Sequence, residues 1–179
     1  DLCCVKKCVV ALVDKLLSNS NREDLNFVGA HPMAGAEVGG FINARADLFS
    51  ESVCAITPGI TSSENSEAVV YKFWEELGCR CIKIDASMHD EMVAKVSHLP
   101  HLISSALAIT SLDDKSDDVK LAGPGIKGMT RVALGSPDMW AEILLQNKDS
   151  VEKVLSEHID SISEVLNHLK DGQHEEILK

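Results

Sequence analysis

The residues able to do chemistry fall into three short stretches. His31 directly follows the short apolar run LNFVGA and is flanked by the small residues Gly29, Ala30, Ala34 and Gly35. In open α/β sheets ligands bind beyond the carboxyl ends of strands. Small neighbours let a ligand approach the backbone, and a histidine placed there can take a proton near neutral pH. The alternative is a histidine that only pins its loop, and position alone leaves both readings open. The second stretch is HDEMVAKVSHLPH, with His89, Asp90, Ser97, His98 and His101. At about 100° per residue, Asp90, Ser97 and His101 share one helical face, whereas His89 and His98 lie on opposite sides. On that arithmetic His98 is a buried hydrogen-bonding residue, His101 is the better ligand contact, and Asp90 is placed to orient His101. The third is Arg131, between a glycine-rich turn and a helix start. Arginine suits bidentate carboxylate recognition, although exposed arginines more often form local ion pairs. Trp140 and Lys127 read by default as core and as solvated surface.

These side chains need elements to hold them. From Val5 to Leu17 apolar residues recur at helical spacing and give way to the polar SNSNRED. LNFVGA, VCAITPG (53–59) and CRCIKI (79–84) read as strands. Between the last two, a helix is predicted with Ser62 or Ser63 as N-cap and Gly78 as its stop. Strand, helix, strand is a parallel crossover unit. Beyond Asp85 the strand signals vanish. Met88 to Leu112 predicts one long helix kinked at Pro100, then come a loop or helix end over SLDDKSDD (111–118), an irregular turn at AGPG, and a helix launched at Ser136-Pro137-Asp138. Leu155, Ile159, Ile162, Leu166 and Leu169 are spaced 4, 3, 4, 3, a seam for pairing helices between subunits. The chain thus divides near residue 86, into an α/β part over 1–86 and an all-helical part over 87–179.

With 179 residues, 45% of them apolar, the chain can bury a core in one domain or two small ones. Its 17 Lys plus Arg against 28 Asp plus Glu give a net charge of -11, which argues against nucleic acid or an anionic membrane as the main partner. The longest apolar runs fall short of the roughly 20 residues of a membrane span, and no signal-peptide pattern opens the chain. The six cysteines lack paired CxxC spacing, so free thiols in a soluble, cytoplasmic protein and no metal site are expected. No G-x-G-x-x-G follows a strand.

At these residues the sequence resembles prephenate dehydrogenase and the related arogenate dehydrogenase. The likeness is carried by GAHPMAGAEVGG (29–40), ARADLF (44–49), TPG (57–59), HDEMVAKVSHLPHLISSALA (89–108) and GPGIKGMTRVALGSPDMW (123–140), in order and with ordinary spacing. The resemblance implies an NAD- or NADP-dependent oxidative decarboxylation of prephenate or arogenate in tyrosine biosynthesis, carried out by a homodimer joined through its C-terminal helices. It implies a fold made of an α/β Rossmann-like remnant, the second half of a dinucleotide-binding domain, followed by an all-α dimerisation domain. It makes His31 the base toward the ring hydroxyl and Arg131 the partner of a substrate carboxylate. It sets His101 and Ser97 in the substrate pocket, and Cys4 and Pro32 beside the nicotinamide. Cys4 stands where the family usually has a serine that assists the catalytic histidine. The chain opens on Asp1 rather than Met, and the resemblance places a first βαβ half with the glycine fingerprint before that residue.

Two other readings compete. One is a non-catalytic dimerising or substrate-binding module without a cofactor half. The other takes His89-Asp90 as the metal pair of an HD-type phosphohydrolase, which needs further ligands that the face arithmetic separates. A thiol is a poorer hydrogen-bond partner than a hydroxyl. In the full-length protein, Cys4→Ser is therefore expected to raise turnover in a steady-state assay, and unchanged turnover would count against a catalytic part for this position.

Overall fold

The computed structural model describes residues 3–22, 24–35, 40–112 and 117–173. Helix α1 (Lys7–Ser18) leads into strand β1 (Val28–Pro32). Strand β2 (Val53–Pro58), helix α2 (Glu64–Glu76) and strand β3 (Arg80–Lys83) follow. The sheet order is β1-β2-β3. β2 and β3 are parallel, with Cys54 opposite Cys81, as a crossover through α2 requires. β1 runs antiparallel to β2, with His31 opposite Ala55 and Pro32 opposite Cys54.

Local chemistry accounts for these boundaries. Ser63 caps α2 in a box with Ser66, each side chain bonding the other's backbone amide. Gly78 follows the helix at φ +89°, a conformation that a side chain would strain. Trp74 turns inward from α2 to join Val28, Ala30, Cys54, Ile56 and Cys79 in the core beneath the sheet. None of the six cysteines forms a disulfide. The Cys54 thiol is pushed up to about 12, first by burial, so it is an inert small hydrophobe.

The sheet ends at Lys83, and Asp85 then caps helix α3 (Ala86–Val93) by accepting from the amides of Ser87 and Met88. The helix continues through a π-helical turn (Ala94–His98) into α4 (Leu99–Ser111). A π-turn lies at the place of the expected kink. Pro100 has no N–H to give the carbonyl four residues back, and in the turn before it the bonding slips by one residue, so that the Leu99 amide reaches the Ala94 carbonyl. Within the continuous helix over 86–111, 26 residues long, an 18-residue stretch has a mean hydropathy of 1.2, enough by length and composition alone to cross a membrane. Five of the helix's residues, His89, Asp90, His98, His101 and Ser104, are nevertheless buried polar groups bonded to other parts of this fold.

A short 3₁₀ turn (Asp117–Leu121) comes next. Much of the predicted loop, at 113–116, lies outside the described residues. AGPG is not an irregular turn. Its Pro124 sits in the first turn of helix α5 (Pro124–Thr130), where a missing N–H costs nothing. A 3₁₀ turn (Arg131–Leu134) joins α5 to α6 (Pro137–Gln146). Finally α7 (Lys148–Asp171) closes on Gly172 in the left-handed region. Its first turns pack Val151 and Val154 against Ala94 of the π-turn. Further along, Ile159, Ile162, Leu166 and Leu169 remain at least half exposed, which is the seam seen in the sequence.

Asp14 reaches from α1 to the loop after β2, where its carboxylate accepts from the amides of Ile60 and Thr61 and from the Thr61 hydroxyl. Burial raises the pKa of Asp14, but those bonds outweigh it and hold the group below the ordinary carboxylate range. A Cβ on Gly59 would collide with that carboxylate. Gly59→Ala is expected to destabilise the fold by about 1–3 kcal/mol, as overpacking does, read as a lower midpoint in urea with an unchanged slope.

Candidate active site

Three elements converge on a buried row of polar side chains. His31 does not follow its strand. It is the fourth residue of β1, held by the pairing with Ala55 and 8% exposed. Its Nδ1 lies 2.8 Å from Nε2 of His89 on α3. Nδ1 of His89 is 2.8 Å from Asp90 Oδ1. The Asp90 carboxylate also accepts from the backbone amides of Lys6 at 2.8 Å and Lys7 at 2.9 Å, at the start of α1. Burial raises the Asp90 pKa, but the bonds from His89, Lys6 and Lys7 outweigh it and bring it below its ordinary value. Asp90 is therefore an ionised acceptor.

The π-turn extends this row. One additional residue in the turn puts His98 where residue 97 of a regular helix would be, roughly 20° from Asp90 rather than on a separate side. Asn147, which begins α7, donates from Nδ2 to the Asp90 carbonyl at 2.7 Å and lies 3.2 Å from His98 Nδ1. His98 meets Trp140 edge-on, at 6.2 Å between ring centres, and His101 stacks flat on the same indole at 3.7 Å. His101 Nδ1 bonds the Val132 carbonyl at 2.9 Å. Asp90 thus orients His89 and not His101, a correction to the face arithmetic. Trp140 is half-buried as the platform of His101 and not a plain core residue. Gly135 must be glycine there, because a Cβ would strike the Trp140 ring.

Arg131 opens the 3₁₀ turn one residue before Val132. It lines a cavity of about 440 Å³ with Lys127, Thr130, Ala108, Leu112 and Leu134. That gives two cations and mainly apolar walls. Ser97 is half-buried within the π-turn, and Pro32 is buried as the last residue of β1. Cys4 is half-buried beside Lys6, and among the described residues no hydrogen bond joins it to His31. Burial raises the Cys4 thiol above its ordinary value, more than the nearby Lys6 charge lowers it, so Cys4 is a protonated thiol. Lys6 is itself fully buried, and that burial brings it to about 8. His89 and Asp90 do not make a metal pair. Both His89 nitrogens are committed to hydrogen bonds, and among the described residues no three His, Cys, Asp or Glu groups could hold a metal ion.

A cofactor pyrophosphate seeks a glycine loop and open helix amides. Here the amides opening α1 are taken by Asp90, α2 is capped by Ser63 and α3 by Asp85. The described residues therefore do not fit a pyrophosphate at these helix ends.

The fold and site define a two-part protein, a small Rossmann-like α/β sheet followed by a helical domain, with buried histidines where the parts meet. The family profile "Prephenate dehydrogenase, nucleotide-binding domain" matches residues 1–83, and "Prephenate dehydrogenase, dimerization domain" matches 85–179. The chain belongs to the prephenate dehydrogenase family. It is 28% identical to prephenate dehydrogenase of Bacillus subtilis over 156 residues, covering 84% of this chain and 40% of that protein. Among solved structures it superposes on prephenate dehydrogenase from A. aeolicus in complex with hydroxyphenyl propionate and NAD+, with TM-score 0.84, 28% identity and coverage of 98% of this chain and 60% of the other. It also superposes on Synechocystis arogenate dehydrogenase, with TM-score 0.81, 25% identity and coverage of 99% and 63%. The chain therefore spans less than half of that Bacillus relative and about three-fifths of the solved chains.

Burial disfavours the imidazolium of His31, held at about 3, and of His98, at about 4. Both folded values lie below the unfolded 6.5, so between these limits the unfolded chain binds more protons, and stability falls as pH is lowered from about 6.5 toward 4. The slope approaches roughly 1.4 kcal/mol per pH unit per histidine. His98→Gln is expected to flatten the fall, measured by urea unfolding between pH 7 and 4.5.

Proposed function

We propose that the protein takes part in the NAD- or NADP-dependent oxidative decarboxylation of prephenate or arogenate, giving 4-hydroxyphenylpyruvate or tyrosine, as a cytoplasmic homodimer paired through α7. The observation that carries this reading is the neutral, buried His31 bonded through His89 to Asp90, in a chain that matches both domain profiles of the family. A division near residue 86 fits the end of the sheet at Lys83 and the helices from Ala86 onward. In this reaction hydride leaves the ring carbon that bears the hydroxyl, the ring carboxylate departs as carbon dioxide, and the ring becomes aromatic.

The chain's own residues would manage the proton and the charges. His31 accepts the hydroxyl proton as the carbonyl develops, and returns it when decarboxylation sends the electron pair back to that oxygen. A neutral histidine is required for this, and burial keeps His31 neutral. Arg131, supported by Lys127 in the same cavity, binds a substrate carboxylate, and His101 and Ser97, which do not line that cavity, are assigned to the substrate pocket. The stacking of His101 on Trp140 and its bond to Val132 tie its ring to the turn that begins with Arg131. Cys4 and Pro32 are assigned to the nicotinamide side. The occupied amides at the starts of α1, α2 and α3 favour, as a second reading, a module that binds substrate and dimerises without catalysis.

The deciding experiment is a steady-state assay of the full-length gene product with both substrates and both cofactors. Turnover with one pair supports the enzyme reading. Binding of prephenate or arogenate by calorimetry without turnover supports the second. In an active protein Arg131→Ala is expected to raise the substrate KM about tenfold or more, the loss of a charged hydrogen-bonded pair, with the cofactor KM nearly unchanged. Equal effects on both would overturn the assignment of Arg131.

A further inference from the structure

We propose that His89 and Asp90 are positioning residues that lock His31 in the Nδ1–H tautomer, leaving its Nε2 bare as the proton acceptor. This rests on the reading of His31 as the base.

With His89 neutral, each ring in the row admits one assignment. Ionised Asp90 only accepts, and its two oxygens already receive the amides of Lys6 and Lys7, so the proton between Asp90 and His89 belongs to His89 Nδ1. A neutral His89 then has an unprotonated Nε2, which accepts. The 2.8 Å contact with His31 is closed only if His31 Nδ1 carries the proton. A neutral His31 consequently has its lone pair at Nε2, the ring nitrogen with no hydrogen bond among the described residues. The rings meet edge-on, 65° apart with centres 5.1 Å from each other, so the bond lies along the His31 N–H direction and not through its π-face.

A free neutral imidazole prefers the opposite tautomer, with the proton on Nε2, and in that form His31 would present a donor to the substrate hydroxyl and could not act as its base. Proton abstraction breaks the substrate O–H bond and forms the Nε2–H bond of His31. The resulting positive charge is met by His89 at Nδ1 and, through it, by the buried Asp90 carboxylate. Burial otherwise opposes any charge on His31, so the pair supplies the compensation that the apolar surroundings withhold. His89 and Asp90 need not touch substrate to do this.

The test is imidazole nitrogen NMR of the ¹⁵N-histidine-labelled protein, paired with kinetics. His31 and His89 are both expected to read as Nδ1–H tautomers at neutral pH. His89→Leu is expected to return His31 to the Nε2–H form and to lower kcat at least tenfold with the substrate KM within about twofold. His89→Gln keeps an acceptor for His31, so it should retain the tautomer and recover part of kcat. It also serves as the second variant if the leucine variant fails to fold. An Nε2–H reading for His31 in the unaltered protein overturns the proposal, and so does a His89→Leu protein whose kcat is unchanged. If the protein turns over neither substrate while His31 still reads Nδ1–H, the positioning pair stands and the functional reading fails.

Discussion

The Asp90 carboxylate is the interaction on which the arrangement depends. A buried charge is tolerated only when its lone pairs are filled, and here three donors fill them: the amides of Lys6 and Lys7 and the Nδ1–H of His89. Each donor comes with an element attached. The amides bring the start of α1, while His89 brings β1 through His31. The same residue's main-chain carbonyl takes Asn147 and with it the start of α7. One residue therefore draws together the N-terminal segment, the sheet and helix α7, and the histidines between them are ordered because that residue is.

The π-turn is the second constraint, and it follows from Pro100. A regular helix through 86–111 would separate His98 from Asp90 and leave Asn147 bonding only one of them. The slipped turn brings both to the same amide and sets His98 and His101 against the Trp140 ring. Helix interiors with one additional residue per turn recur at functional sites, and here the gain is specific: two histidines three residues apart share one indole, edge-on and face-on.

Much of the scaffold was legible in the sequence because it is encoded locally. The crossover from β2 through α2 to β3 rests on two apolar runs, a serine cap and Gly78, each readable in place. The α7 seam is visible in its 4, 3, 4, 3 spacing. The site was legible in part. His31 and His101 stand out by type and neighbourhood, but their partners do not, since a strict 100° step makes Asp90 a neighbour of His101 and removes His98. Only the register slip reverses this, and its sequence trace is a single proline that also predicts a kink. The antiparallel course of β1, which sets His31 inside the strand rather than beyond it, is fixed by pairing with residues 53–58 and has no local signature.

The attachment of α7 carries a mechanical consequence. A helix of 24 residues is a rod about 36 Å long at 1.5 Å per residue, and its base is fastened by Asn147 to the residue that orders the histidine row. The exposed leucines and isoleucines lie toward the far end. A small tilt of that far end would be felt at the fulcrum as a change in the hydrogen bond from Asn147 to the Asp90 carbonyl, so the set of α7 and the geometry of the buried histidines share one degree of freedom.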